Sequence, residues 1–243
     1  MPVIVSIHIS KTAGMSFGQA LRASLKDRLL SDYGDWAGFN SPEAIAHRAA
    51  RAIAMRTRRD ELLRQFDAIH GHFHANKYLD LFPQTDFVAF FRDPYQQAVS
   101  NYCFLRSNPQ FAEQHPAVKT FHEEKMTIFD YLNWEYARNP QTTFLAGVPV
   151  ESFAMVGLSE EFERSVAFFN LRFGLDLSSE FAININPERQ GRSYEIDHDV
   201  RKAVDRSRGA DLDLYRRARE IFAKQIRRLG PSVPCCEPLE GLY

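Results

Sequence analysis

Two groups of residues in this chain have the types and spacing to hold anions, and a third can move a proton. The first is Ser10-Lys11-Thr12-Ala13-Gly14-Met15-Ser16-Phe17, a polar loop that follows an apolar run over 3–9 and opens into a helical pattern. Backbone N–H groups at a helix N-terminus lack intrahelical partners and the helix dipole favours negative charge there, so such a junction suits a phosphate-like group. Lys11 adds a mobile cation, and the Thr12 and Ser16 hydroxyls add polar contacts. Taken alone, Lys11 fits an ordinary strand-to-helix turn equally well. The second group is Arg92 with Ser100. The arginine ends an apolar run over 87–91, and the serine lies two turns into the helix that Pro94 starts, so both can close on one phosphate from the same side. Taken alone, Arg92 also fits an ion pair with Asp93. The third group is His70-Gly71-His72, followed by His74. An imidazole titrates near neutral pH and can accept a hydroxyl proton. Alternate histidines share one face of a strand, but no cysteine or carboxylate spacing accompanies them, so no metal is expected.

The elements that must position these residues follow from periodicity. Apolar runs at 3–9, 66–71, 87–91 and 153–156 predict four strands, mostly buried on both faces as in a parallel sheet. His8, inside the first, reads as a packed core residue. Helical patterns lie between the strands: after the Lys11 loop, from Ser41-Pro42 to about Gln65, over 94–105, from Ser159 to about Phe173, and over 199–229. This alternation predicts an α/β fold, a P-loop-like open parallel sheet flanked by helices on both faces. The stretch 107–150 has few strand signals. With a helical, aromatic-rich piece at 128–138, it reads as a helical insertion whose aromatic section from Phe121 to Trp134 serves as acceptor wall or lid or, equally, as core. Residues 33–40 and 182–192 read as loops and 231–243 as an extended tail, within one domain spanning 1–243. The arginines at 48, 51, 56, 58, 59 and 64 read either as a solvated helical face or as a rim attracting an anion.

Composition bounds the function. The chain has 243 residues, 44% of them hydrophobic, and a net charge of −1. Bulk charge therefore gives no reason to expect nucleic acid as partner, and attraction for an acidic ligand must be local. Three cysteines, Cys103, Cys235 and Cys236, do not make a disulfide framework, which points to a reducing compartment. No apolar run approaches the roughly 18 residues of a membrane span, and the first strand begins almost at Met1, so a soluble, cytoplasmic protein is expected. The Lys11 loop is not a Walker A sequence. That motif has glycine directly before the lysine and another five positions earlier, whereas Ser10 precedes Lys11 and Gly14 follows it.

The segment Ile7-His8-Ile9-Ser10-Lys11-Thr12-Ala13-Gly14-Met15-Ser16-Phe17 resembles the 5′-phosphosulfate loop of sulfotransferases that use 3′-phosphoadenosine 5′-phosphosulfate (PAPS). It is similar in particular to the carbohydrate O-sulfotransferase branch, whose loops read H-x-P-K-T-A/G-G-T-S. Ser10 stands where proline is usual and Met15 where threonine is usual. Arg92-Asp93-Pro94, Ser100 and Tyr102 resemble the same family's 3′-phosphate motif, R-D-P-x-x-R-x-x-S-x-Y, with Gln97 in place of the second arginine. His70-Gly71-His72 resembles the histidine motif of the uronosyl 2-O-sulfotransferases. Weaker similarity covers Asn139 to Thr142, Val156 to Ser165 and Asp211 to Tyr215. The resemblance implies PAPS as sulfuryl donor and PAP as product, with no metal. It implies residues 10–17 with Arg92, Ser100 and late contacts from Arg189 or Arg192 as the donor site. It implies a histidine general base, His72 ahead of His70, acting on a hydroxyl of a glycan or small-molecule acceptor, with Lys11 stabilising the leaving group. Oligomeric state is not implied. A P-loop-type kinase and a non-catalytic nucleotide- or glycan-binding relative are the rival readings.

Overall fold

In the computed structural model, which describes residues 3–113, 116–181 and 193–228, the first apolar run becomes the centre of the sheet. Strand β1 (Val3–Ile7) is buried at every position. It pairs in parallel with β3 (Ala68–Gly71) on one side and β4 (Thr85–Phe91) on the other. Strands β2 (Leu29–Asp32) and β5 (Met155–Leu158) complete the parallel order β2-β3-β1-β4-β5. An all-parallel sheet needs cover on both faces, which the burial of β1, β3 and β5 along their whole length reflects. The α/β open sheet expected from the sequence is present. It has a fifth strand, β2, that periodicity did not mark.

Helices follow the strands. Helix α1 (Gly14–Leu25) leads from β1, and α2 (Pro42–Thr57) and α3 (Arg59–Gln65) lie between β2 and β3. Helix α2 starts where Ser41 accepts the Ala44 N–H and Pro42 takes the first turn. The single helix expected from Pro42 to Gln65 is broken at Arg58, whose ψ of 8° is not helical. Helix α4 (Pro94–Ser107) leaves β4. Helices α5 (Pro116–Glu123), α6 (Ile128–Asn133) and α7 (Pro140–Leu145) precede β5, and α8 (Phe162–Phe173) follows it. The predicted C-terminal helix is two, α9 (His198–Ser207) and α10 (Gly209–Ile226), broken at Arg208.

Two apolar cores result. The larger lies around the sheet, with Val5, Ile9, Phe17, Leu21, Ile69, Phe91 and Phe169 among its members. The smaller joins Ala98 and Leu105 of α4 to Val118 and Phe121 of α5, Tyr131 and Leu132 of α6 and Val200 and Val204 of α9. The stretch 107–150 thus contributes α5 and α6 to a packed core that includes α4 and α9. Among the described residues no helix is long and apolar enough to cross a membrane.

The register decides where chemistry can occur. Ile7 stands opposite Gly71 on β3 and Ala89 on β4, so the three strands end nearly level. Their following loops carry Lys11, His72 and Arg92. The chain leaves β1 toward the β2 edge and leaves β4 toward the β5 edge. Divergent exits open a crevice at the carboxyl ends of the strands between them, which is where open α/β sheets hold ligands.

Candidate active site

The loop after β1 has an unusual backbone. Lys11 and Ala13 adopt left-handed φ values of 64° and 70°, with Thr12 between them at negative φ. Each left-handed residue that is not glycine costs about 1 kcal/mol or more, and alternating hands turn successive N–H groups into one concavity. Ala13 is also the N-cap of α1 and gives it no side-chain hydrogen bond. The 12-residue helix α1 therefore starts with N–H groups that no capping side chain accepts.

Within this loop the predicted contacts divide. Thr12 is buried and its hydroxyl donates to the Ile9 carbonyl at 2.9 Å. The hydroxyl proton expected to reach an anion instead closes the loop on itself. Phe17 corrects another expectation. Its ring packs on Phe90 and Phe169, and its N–H donates to the Ala13 carbonyl, so it belongs to the core. Gly14 is required by contact: a Cβ there would lie 1.9 Å from Cδ2 of His8. Ser16 is buried on the first turn, Met15 is exposed, and Ser10 and Lys11 are half-buried.

Two cations meet at the crevice. Lys11 Nζ lies 4.7 Å from the centre of the Phe104 ring on α4. Burial, and then the neighbouring Arg92 guanidinium, lower the Lys11 pKa from its usual value. Arg92 is buried, donates from Nη1 to the Lys11 carbonyl at 3.2 Å, and stands 5.9 Å from the Tyr194 ring. Its backbone is gripped from both sides by Gln141, which accepts the Arg92 N–H and donates to the Arg92 carbonyl. Gln141 lies in the first turn of α7, where Asp211 of α10 accepts the N–H groups of Gln141 and Thr142. Burial raises the Asp211 pKa. Asp93 caps α4 through the Gln96 N–H instead of pairing with Arg92. Its own N–H is taken by Glu160, a carboxyl that burial pushes up. Ser100 is buried on α4, one turn beyond Gln97.

Gln97 and Arg208 were not singled out by sequence reasoning as site residues. Gln97 is fully buried; its Nε2 donates to the Ser10 carbonyl at 2.9 Å, and its Oε1 accepts from Nη1 of Arg208. Arg208, at the break between α9 and α10, is also fully buried, and its Nη2 donates to the Tyr131 hydroxyl at 2.9 Å. The available signal was the substitution itself, a glutamine where the motif carries an arginine.

The histidines form a stack beside the loop. His8 lies between His70 and His72, with ring centres 5.3 Å and 4.1 Å away, and its Nδ1 is 3.1 Å from the Tyr33 hydroxyl. Burial, then His72, His70 and Lys11, push the His8 pKa well below its ordinary value. His70 is only 2% exposed, its Nδ1 meets Ser6 Oγ at 2.8 Å, and burial lowers its pKa to about 3. A Cβ on Gly18 would lie 2.5 Å from its Nε2. This seal under α1 removes His70 as a general base, a correction to the sequence expectation. His72 is half-buried and its Nδ1 stands 2.6 Å from the His8 carbonyl. A carbonyl can only accept, so Nδ1 carries the proton and Nε2 the basic lone pair. His74 donates to the Ala37 carbonyl from Nε2. Among the described residues no group of side chains is arranged to hold a metal ion.

The loop over 33–40 borders the histidines. Lys77 Nζ is 2.5 Å from Asp32 and 2.7 Å from Asp35, and Arg51 reaches the same carboxylates at 2.6 Å and 2.5 Å. Burial opposes charge on Asp32, yet Lys77, Tyr78 and Arg51 hold its carboxyl below the usual range. Arg48 donates to the Trp36 and Phe39 carbonyls. Arg58 pairs with Glu61, and Arg59 donates to the Leu81 carbonyl. The guanidinium groups of Arg48, Arg51, Arg58 and Arg59 thus have intramolecular partners, and Arg48 and Arg51 fasten the loop. Arg189 and Arg192, the late phosphate contacts expected from sequence, lie outside the described residues. Nearby, Gln96 exchanges hydrogen bonds with the Tyr194 backbone.

No family model and no curated protein matches the chain. Among solved structures, the chain is similar to the crystal structure of a sulfotransferase from Alicyclobacillus acidocaldarius, with TM-score 0.47, 16% identity and coverage of 94% of each chain. A likeness at that level says nothing about activity.

Proposed function

We propose that this protein is a PAPS-dependent O-sulfotransferase acting on a hydroxyl acceptor of carbohydrate type. The observation that carries the reading is the meeting of Lys11 and Arg92, joined through the Lys11 carbonyl, at the sheet's switch point beside an uncapped helix start. One buried and one half-buried cation with a concave run of N–H groups suit a ligand bearing separated phosphate and phosphosulfate groups. Arg92 and Ser100 hold the 3′-phosphate. Lys11 and the N–H groups of residues 13–16 hold the phosphosulfate. Bound there, PAPS supplies a sulfuryl group on a phosphate leaving group. His72 Nε2 accepts the proton of the acceptor hydroxyl. Lys11 stands where negative charge grows as the sulfur–oxygen bond to the phosphate breaks. Catalysis in this scheme is positioning plus electrostatics. Tyr33, 5.0 Å from the His72 ring, and the exposed Trp36 offer flat faces to a sugar ring.

The test is direct. PAP raises the melting temperature of the protein, ATP with Mg²⁺ does not, and labelled sulfate passes from PAPS to an acceptor. Lys11→Ala keeps the fold and lowers transfer about 10²–10³-fold, the usual cost of losing one group that stabilises transition-state charge. Stabilisation by ATP–Mg²⁺ without PAP would replace this reading by the kinase one. Near-normal transfer by Lys11→Ala would displace the leaving-group assignment.

A further inference from the structure

The fully buried Arg208 has no role in the scheme above, yet its setting is costly. No described carboxylate forms an ion pair with it, its Nε is buried without a hydrogen-bond partner, and its hydrogen bonds go to the neutral groups Gln97 and Tyr131. The carboxylate of Asp211 acts on it only at longer range, because the Asp211 oxygens are occupied by Gln141 and Thr142. Removing a guanidinium from water without a paired anion is costly, and a charge so placed weakens the ligand-free fold.

The contacts of Gln97 show where the charge is directed. A guanidinium only donates, so it fixes the glutamine with Oε1 toward Arg208 and Nε2 toward the loop. Nε2 then holds the Ser10 carbonyl, the residue before the left-handed Lys11. One amide therefore separates the buried cation from the loop. Polarised by Arg208 at its oxygen, that amide donates more strongly to Ser10.

We infer that Arg208 is a positioning residue for the anion loop, acting through Gln97 as a remote cation. Its uncompensated charge is held in the apo protein and offset when an anion enters the loop. The inference rests on the proposed anion site, but its probes separate the two. Calorimetric titration of the full chain uses PAP and, independently, inorganic sulfate, alongside thermal unfolding without ligand. Arg208→Gln lowers affinity for both anions 10- to 100-fold, while the melting temperature without ligand is unchanged or higher, because an unpaired buried charge has gone. A residue serving the fold alone would lower both together, and that outcome overturns the inference. Gln97→Glu gives a second reading should Arg208→Gln not fold. It neutralises Arg208 and removes the donor to Ser10, so the fold persists and anion affinity drops. Unchanged affinity in Gln97→Glu also overturns the inference. Wild-type protein that binds sulfate but not PAP would end the PAPS reading and leave Arg208 to be judged on sulfate. Binding of neither ends both.

Discussion

At the scale of single residues, two histidines two positions apart have opposite fates because β3 ends between them. His70 points under α1, where Gly18 leaves room for its ring and Ser6 takes its Nδ1. His72 lies beyond the strand, with its tautomer set by the His8 carbonyl. His72→Ala is expected to lower turnover by about 10²–10⁴-fold while PAP affinity stays within a few-fold, since general-base removal acts on the chemical step. Single-turnover sulfate transfer and PAP titration on the same preparation check this. Unchanged turnover would move the base off the stack altogether, because His70 is sealed. The motif His70-Gly71-His72 was legible in the sequence, but the assignment between its histidines was not. Burial of one and partial exposure of the other depend on α1, whose Gly18 meets the His70 ring although it lies far from it in sequence. Likewise Gln97 was visible as a departure from a motif, while Arg208 had no local signal, since its side-chain partners Gln97 and Tyr131 are brought by two other helices, α4 and α6.

At the scale of elements, strands β1, β3, β4 and β5 were readable because central parallel strands are apolar without interruption. Strand β2 was not. It is an edge strand, Leu29-Leu30-Ser31-Asp32, with only its two ends buried, so it lacks both the unbroken run and the alternation that mark strands. Its last residue is nevertheless central to the loop that follows. Asp32 and Asp35 carry two negative charges against Lys77 and Arg51, nearly out of water. Removing one partner of such a set leaves a buried charge uncompensated. Lys77→Met is expected to destabilise the protein by about 3–5 kcal/mol, read by urea denaturation, and to loosen the Trp36 loop to proteolysis. A loss below about 1 kcal/mol would show that the network contributes little to holding that loop.

At the scale of the whole molecule, the two buried imidazoles of the stack, His8 and His70, tie stability to pH. His8 and His70 have folded pKa values below the unfolded value near 6.5, His70 at about 3. Below pH ~6.5 the unfolded chain takes up protons that the folded chain refuses, so stability is complete above that pH and falls as pH drops toward 3. Each such histidine contributes a slope of up to about 1.4 kcal/mol per pH unit. Glu160 and Asp211, with raised pKa values, act with the opposite sign. The difference between wild type and His70→Asn therefore isolates one histidine. Urea midpoints at pH 7.5, 6 and 5 are expected to fall more steeply for the wild type, and parallel curves would contradict a neutral, buried His70. The same wide connectivity has a consequence for synthesis. The Ser10 carbonyl is held by Gln97, 87 residues away, which is held in turn by Arg208, a further 111 residues along. Arg92 depends through Gln141 on Asp211, 70 residues beyond that glutamine. Ribosomes add roughly 5–20 residues per second, so the loop made first waits on the order of ten seconds for the groups that set its shape. Until α10 emerges, the nascent chain carries the Lys11 loop without the groups that fix its backbone, and on the proposed reading a chain interrupted before Arg208 would hold an anion less tightly however well its first strand had formed.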